Sequence, residues 1–225
     1  MIVLLGDIHG DFVYLPHLLR DVPKDATIIQ VGDFGFWPNL YRGHYVDGWE
    51  NYWAQCEWEG KFYFIDGNHE SHPDLQHTEI TEVWPGAHFI PRGHVMEIDG
   101  LTIGFMGGAA SIDSLYRTEG HDWFREERLT QEQFDAMYNL DVKLDLLVTH
   151  TPPTSVIKGN FSTDAHLSFG QPDDWYDTSA VFVQQLYEKF DCPLICGHMH
   201  KHIIDGKCRI LDINEVYMFP VTDND

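Results

Sequence analysis

Polar side chains that could bind metal ions follow five apolar segments of this 225-residue sequence. The segments read MIVLLG, ATIIQVG, KFYFIDG, LDLLVT and CPLICG, and aspartate, asparagine or histidine comes within three positions of each. The side chains concerned are Asp7, His9, Asp33, Asn68, His150, His198 and His200. Because carboxylate and imidazole ligands together suit divalent transition metals, this combination of residue types predicts a metal site.

The five apolar segments have the length and composition of buried β-strands. In an open α/β sheet, ligands bind beyond the carboxyl ends of the strands, where the connecting loops converge. Four of the five segments reach their polar residue through a glycine. A glycine at this position lets the chain turn sharply and lets the backbone approach a bound ion closely. The strands are therefore expected to bring their polar residues to one place.

Each of these segments also has an ordinary structural interpretation. Asp7 and His9 could belong to a simple loop, Asp33 could be a turn residue, and His150 could be a satisfied histidine at a strand end. The pair His198 and His200 is the strongest single indication, because two imidazoles project from one loop. The repetition of the pattern at all five strand ends favours a shared site over five separate structural roles.

Helical patterns alternate with the predicted strands. We expect a helix in FVYLPHLLRDV, one within residues 44–58 and one over residues 123–140. The amphipathic segment TSAVFVQQLYEKF predicts another, capped by Thr178 or Ser179. Two Asp-Gly pairs, Asp99-Gly100 and Asp205-Gly206, each join β-rich segments and predict hairpins. These elements indicate one α/β domain over residues 1–225, with two packed sheets flanked by helices.

The charge balance restricts the partners. Fourteen Lys and Arg residues face 36 Asp and Glu residues, which gives a formal net charge of −22. Such a field repels extended nucleic acid and anionic membrane surfaces. The sequence shows no secretory leader, no apolar run of membrane-spanning length and no CxxC pair among its four cysteines. We therefore expect a soluble cytoplasmic protein with reduced thiols, in which bound metal ions would receive any anionic substrate.

Five short motifs carry a resemblance to a known family. GDIHG, GDFG, GNHE, TH and GHMH occur in this order between Asp7 and His200. This set resembles the calcineurin-like metallophosphoesterase superfamily, in particular its compact single-domain members from bacteria and phages. The resemblance implies a four-layer αββα sandwich of two mixed β-sheets flanked by helices. If a phage encodes the protein, the expected location is the cytoplasm of the host.

The resemblance also implies a site with two divalent metal ions. Asp7, His9, Asp33 and His200 would hold one ion, while Asp33, Asn68, His150 and His198 would hold the other. Manganese is expected, with iron, zinc and nickel as alternatives for this ligand mixture. A hydroxide shared by the two ions would attack phosphorus. His69 would serve as the general acid for the leaving group, oriented by Glu70 or Asp66.

The expected activity is hydrolysis of small phosphodiesters or monoesters, of the nucleotide or cyclic-nucleotide type. In the protein-phosphatase branch of the family, the second motif continues with an Asp and an Arg that help to bind phosphate. Here Phe34 follows Asp33, which argues against protein phosphatase activity. The alternatives are a nuclease that uses the same two-metal chemistry and a non-catalytic metal-binding scaffold of the same fold.

Four further residues are candidates for substrate binding. Phe36 and Trp37 beside the second motif could stack on a base, or could pack beneath their loop. Arg117 and His121 could contact phosphate oxygens from the irregular segment FMGGAASIDSLYRTEGHDWF, or could lie on the surface.

Overall fold

The computed structural model describes residues 1–39 and 44–220. Within these ranges the chain forms twelve β-strands and five α-helices. The strands are β1 (Ile2–Leu5), β2 (Thr27–Gln30), β3 (Phe62–Phe64), β4 (Thr81–Trp84), β5 (Ala87–Phe89), β6 (Val95–Ile98), β7 (Leu101–Met106), β8 (Leu146–Thr149), β9 (Leu194–Cys196), β10 (Ile203–Asp205), β11 (Cys208–Ile210) and β12 (Val216–Met218). The helices are α1 (Leu15–Leu18), α2 (His44–Cys56), α3 (Gln131–Tyr138), α4 (Thr154–Asn160) and α5 (Thr178–Phe190).

The strands form two mixed sheets of six strands each. The first sheet has the order β12-β1-β2-β3-β5-β4, and the second has the order β10-β11-β9-β8-β7-β6. In the first sheet β1, β2, β3 and β5 are parallel, with antiparallel strands at both edges. In the second sheet β7, β8, β9 and β11 are parallel, again with antiparallel edges. The predicted pair of mixed sheets is confirmed.

Alternating side chains of the central strands divide the core into layers. In β1, Ile2 and Leu4 belong to the cluster between the two sheets, whereas Val3 and Leu5 pack towards α1 and α2. In β8, Leu147 likewise belongs to the cluster that covers the outer face of the second sheet, together with side chains of α3, α4 and α5. Because successive residues of a strand point to opposite faces, a fully apolar strand requires cover on both sides. The four-layer αββα arrangement is thus confirmed.

Two helix predictions need correction. The segment 123–140 is helical in α3 and in one turn of 3₁₀ helix at Arg125–Glu127, because a capping box between Thr130 and Gln133 starts the helix late. Helix α5 is capped by Asp177 instead of Thr178 or Ser179, since the Asp177 side chain accepts a hydrogen bond from the Ser179 N–H at 2.8 Å.

Both predicted hairpins are present. Asp99 and Gly100, with φ of 50° and 76°, link β6 to β7, which suits the turn type that Asp-Gly favours. The second hairpin joins β10 to β11 through Gly206.

Among the described residues, no helix is both long enough and apolar enough to cross a membrane.

Candidate metal centre

The seven predicted ligands lie together at the carboxyl ends of five strands. Three of these strands, β1, β2 and β3, are neighbours in the first sheet, and β8 and β9 are neighbours in the second. The ligand atoms of six of the seven residues, all except Asn68, form two groups, and within each group every atom lies within 4.8 Å of the others. One group comprises Asp7, His9, Asp33 and His200, and the other comprises Asp33, His150 and His198. Asp33 belongs to both groups and links them.

In the first group, two imidazole nitrogens and two carboxylates converge. The Nε2 atoms of His9 and His200 are 2.8 Å apart, and His200 Nε2 lies 3.2 Å from Asp7 Oδ2. His9 Nε2 lies 3.7 Å from Asp33 Oδ2. Ligand nitrogens and oxygens that share one transition-metal ion each lie about 2.0–2.2 Å from it. These separations are therefore compatible with a single ion bound by all four side chains.

The second group is organised around His150. Its Nδ1 lies 2.9 Å from the Val31 carbonyl oxygen, which can only accept, so Nδ1 carries the proton of that hydrogen bond. Nε2 then faces the site, 3.4 Å from Asp33 Oδ1 and 3.2 Å from Asn68 Oδ1. A backbone carbonyl that holds the far nitrogen of an imidazole is a common support for a metal-binding histidine.

The burial and hydrogen bonding of the Asp33 carboxylate indicate whether these residues fit a metal centre. Its side chain is 1% exposed, and Oδ1 accepts a hydrogen bond from the His69 backbone N–H at 2.8 Å. Oδ2 is buried and has no hydrogen-bond donor among the described residues. A buried carboxylate oxygen without a partner is costly, and a shared cation would supply the missing interaction. The residues fit a centre of two metal ions, in which Asp33 would contribute to both ligand groups.

The pKa values show how strongly these groups interact. Burial lowers the pKa of His198 to about 3, so its imidazole is neutral and can serve as a ligand. Burial would also lower the pKa of His150, but the adjacent Asp33 carboxylate raises it to about 10. With a pKa of about 10, His150 carries a proton on the nitrogen that faces the site as long as no metal is bound. A metal ion binds only an unprotonated imidazole nitrogen, so a cation bound beside Asp33 would displace this proton.

The orientation of Asn68 is set by residues that the sequence analysis did not identify. Asn68 Nδ2 donates to Ser111 Oγ at 3.0 Å, which leaves the amide oxygen facing His150. Ser111 in turn donates to Glu127 from both its backbone N–H and its hydroxyl. Burial raises the pKa of Glu127 to about 7. No local sequence pattern marks this chain of hydrogen bonds, because its members lie 16 and 43 residues apart.

Glu70 and Asp66 do not orient His69, which corrects the prediction made for them. The Glu70 carboxylate accepts hydrogen bonds from the backbone N–H groups of residues 34–36 and so shapes the loop that carries Asp33. Asp66 pairs with Arg92 instead. Both carboxylates are buried.

The backbone of the site is locally strained. His9, Asp33, His198 and His200 all adopt positive φ angles, between 48° and 67°. Residues other than glycine seldom adopt this conformation, which costs about 1–3 kcal/mol at each position. The surrounding hydrogen bonds maintain it, for example those from the His198 backbone N–H to the Asp7 carboxylate.

Gly197 allows the Asp7 carboxylate to lie close to the backbone. A Cβ atom at this position would sit 2.0 Å from Asp7 Oδ1. We therefore expect Gly197→Ala to displace Asp7 and to lower metal affinity about 10- to 100-fold. Calorimetric titration with Mn²⁺ measures this loss.

The matched control for this variant is Gly48→Ala in α2. A Cβ atom there would have its nearest neighbour, Phe12 Cδ2, at 3.7 Å, an ordinary contact, so metal affinity should stay unchanged. Unchanged affinity in Gly197→Ala as well would show that the position of Asp7 does not govern metal binding.

A cavity of about 470 Å³ opens directly over the candidate ligands. His69 and Arg117 line it, and the Arg117 guanidinium lies 3.0 Å from His69 Nε2. Asp113 holds the same guanidinium through two contacts of 2.8 and 2.9 Å. The sequence analysis missed Asp113, although its i, i+4 spacing from Arg117 was a signal. His121 is exposed and is not among the residues that line the cavity.

Phe36 and Trp37 have a packing role. They are 4% and 8% exposed, and neither is among the residues that line the cavity. Phe36 packs against Trp84, with ring centroids 4.7 Å apart, and Trp37 lies near Phe124. Of the two interpretations that the sequence allowed, packing beneath the loop is the one that the structure shows.

The fold and the candidate ligands together define the class of metal-dependent phosphoesterases. The family model described as calcineurin-like phosphoesterase matches residues 1–202 of the 225-residue chain. The chain therefore belongs to the calcineurin-like phosphoesterase family, and the resemblance predicted from its motifs is confirmed. A comparison with curated proteins gives no match.

Proposed function

We propose that this protein is a two-metal phosphoesterase that hydrolyses small phosphodiesters of the nucleotide or cyclic-nucleotide type, with monoesters as weaker substrates. The observation that carries the proposal is the convergence of two ligand groups on Asp33, beneath a cavity lined by His69 and Arg117. Membership of the phosphoesterase family supports the reaction class.

Two divalent ions would be held by the ligand groups described above, with Asn68 Oδ1 completing the second group. When bound, they would neutralise the carboxylates, lower the pKa of a water molecule and polarise phosphoryl oxygens. The mixture of imidazole, carboxylate and amide ligands suits manganese, iron, zinc or nickel, and of these we expect manganese.

His69 and Arg117 exchange partners when substrate binds. A guanidinium cannot accept a hydrogen bond, so His69 Nε2 accepts from Arg117 in the free protein and carries no proton there. Phosphoryl oxygens are strong acceptors for arginine and would draw Arg117 away from the imidazole. His69 Nε2 could then hold a proton and transfer it to the departing oxygen. Asp113 limits the movement of Arg117, so it acts as a positioning residue.

The charge of the cavity favours diesters. Arg117 is the one lysine or arginine among the described residues that line it, and Asp113 partly neutralises its charge. A diester carries one negative charge, whereas a monoester carries up to two near neutral pH. The two metal ions would attract either ester, and beyond them a single partly neutralised arginine supplies little further attraction for the second charge of a monoester, so we expect the diester to be preferred.

The proposal predicts a clear preference in a simple assay. We expect protein stripped of metal and resupplied with Mn²⁺ to hydrolyse bis-p-nitrophenyl phosphate at least about 10-fold faster, in kcat/KM, than p-nitrophenyl phosphate, which corresponds to about 1.4 kcal/mol of transition-state discrimination. Release of p-nitrophenolate is measured for both compounds, with the stripped protein as the blank.

Two other outcomes would change the proposal. Faster hydrolysis of the monoester would contradict the diester preference and favour a phosphatase. Hydrolysis of neither compound, with two metal ions bound per chain, would favour the non-catalytic scaffold.

A further inference from the structure

A second cavity, of about 600 Å³, lies beside the one over the metal ligands. The two cavities share Ile112 and His198 as wall residues, so a molecule that reaches the metal centre can extend into both. Most of the remaining walls come from helix α4, from residues 161–177 between α4 and α5, and from Met199, with Ala110 and Ala180 completing them. The volume falls within the range of about 300–1,000 Å³ that is typical of small-molecule sites.

The walls of this second cavity provide flat apolar surface. Ile157, Phe161, Trp175 and Met199 line it, and each is only partly buried. Large apolar side chains of this kind stack well against a planar ring. The cavity over the metal ligands, in contrast, is lined mainly by polar and ionisable side chains.

Two buried nitrogens in the walls lack partners. His166 is 9% exposed, and its Nδ1 lies 3.0 Å from the Thr163 carbonyl oxygen, so Nδ1 is the donor. In a neutral ring this leaves Nε2 as an acceptor, and Nε2 has no partner among the described residues. The Nε1–H of Trp175 is a donor and is likewise buried without a partner. The two rings stack, with centroids 5.9 Å apart and planes inclined by 22°.

An unpaired acceptor on one ring and an unpaired donor on the ring stacked against it restrict the class of ligand. Buried polar groups without partners cost free energy, and an alkyl or simple aromatic group would leave both unsatisfied. The pairing edge of every common nucleobase offers a donor and an acceptor on adjacent atoms, and its planar ring suits the apolar walls. Both nitrogens are closed to solvent in the free protein, so the two rings must turn towards the cavity for a ligand to reach them. We propose that this cavity binds the nucleoside of a nucleotide phosphodiester, with the base against the apolar walls and its edge paired to His166 Nε2 and Trp175 Nε1–H after this turn. The inference rests on the proposed function, because it assumes that the phosphodiester occupies the neighbouring metal centre.

Two esters with the same leaving group test the inference. Thymidine 5′-p-nitrophenyl phosphate and methyl p-nitrophenyl phosphate both release p-nitrophenolate and differ only in the group that remains on phosphorus. Because a stacked base adds binding that a methyl group cannot supply, the wild-type kcat/KM should be at least about 10-fold higher for the thymidine ester.

Two variants remove the polar partners and keep a ring in place. Trp175→Phe removes the donor, and His166→Phe removes the acceptor. Each should lower the ratio of the two kcat/KM values about 3- to 10-fold, the effect of one lost hydrogen bond. Trp53→Phe in α2 is the matched control, because Trp53 packs against Trp49 and is not among the residues that line either cavity. This control should leave the ratio unchanged.

The outcomes separate the inference from the proposed function. Mn²⁺-dependent hydrolysis of both esters with a wild-type ratio near one, or with a ratio that neither variant changes, would overturn the nucleoside site and leave the phosphodiesterase proposal standing. Hydrolysis of neither ester would contradict the proposed function. In that case calorimetric titration with thymidine 5′-monophosphate decides the inference: binding that Trp175→Phe weakens supports the site, and absence of binding overturns it.

Discussion

Asp33→Asn is expected to abolish metal-dependent hydrolysis and to reduce the metal content of the purified protein. Asp33 is the only side chain shared by the two ligand groups among the described residues, and its Oδ2 has no hydrogen-bond donor there. An amide at this position keeps an oxygen that can accept from the His69 backbone N–H but removes the negative charge. Loss of the carboxylate that both ligand groups share should remove several kcal/mol of transition-state stabilisation, so kcat/KM should fall at least about 10³-fold.

Elemental analysis for bound metal and steady-state kinetics with bis-p-nitrophenyl phosphate measure these two effects together. Thermal unfolding of the stripped proteins shows whether the variant still folds. Asp21→Asn is the matched control, because the Asp21 side chain is 86% exposed and contacts only its neighbour Arg20 in the hydrogen bonds and ion pairs described. If Asp33→Asn kept both its metal content and its rate, the two-metal proposal would be wrong.

His69→Ala is expected to produce a loss of activity that depends on the leaving group. His69 lines the cavity but belongs to neither candidate ligand group, so the variant should retain its metal ions. General acid catalysis contributes about 10²- to 10⁴-fold when the departing oxygen must be protonated. p-Nitrophenolate leaves readily without a proton, whereas an alkoxide does not. Hydrolysis of a dialkyl phosphate should therefore fall about 10²-fold or more, while hydrolysis of the nitrophenyl diester should fall much less.

The comparison uses rates for both substrates at saturating Mn²⁺, together with the metal content of the variant. His17→Ala controls for the loss of an imidazole, because His17 is exposed on α1. An equal loss on both substrates would assign His69 to phosphate binding or to site structure in place of proton transfer. Loss of metal from the variant would instead make His69 part of the metal centre.

The part of the fold that sequence reasoning predicted follows from local patterns. Strands such as β1 and β8 are covered on both faces, so they appear in the sequence as continuous apolar runs. A strand with one face in solvent would instead alternate between apolar and polar residues. The Asp99-Gly100 pair predicts its hairpin because the turn needs positive φ angles at both residues. Errors occurred at helix ends, where Thr130 and Asp177 compete with their neighbours as caps.

The candidate ligands were accessible from the sequence for a topological reason. Each one stands next to a parallel strand, and parallel strands direct their carboxyl ends to the same edge of a sheet. The residue types and their positions relative to the strands therefore sufficed to group them. The resemblance already implied that Asp33 belongs to both groups, whereas only the tertiary structure could show that its Oδ2 is buried without a hydrogen-bond donor.

The sequence by itself determined which polar side chains follow the central strands, and these are the candidate ligands. The tertiary structure decided what surrounds them: Arg117 as the partner of His69, the buried position of Phe36 and the second cavity beside the metal centre. The physical reason is the range of the contacts involved. Strand and turn patterns arise from residues a few positions apart, whereas Arg117 meets His69 across 48 positions, and such packing depends on how all the layers fit together.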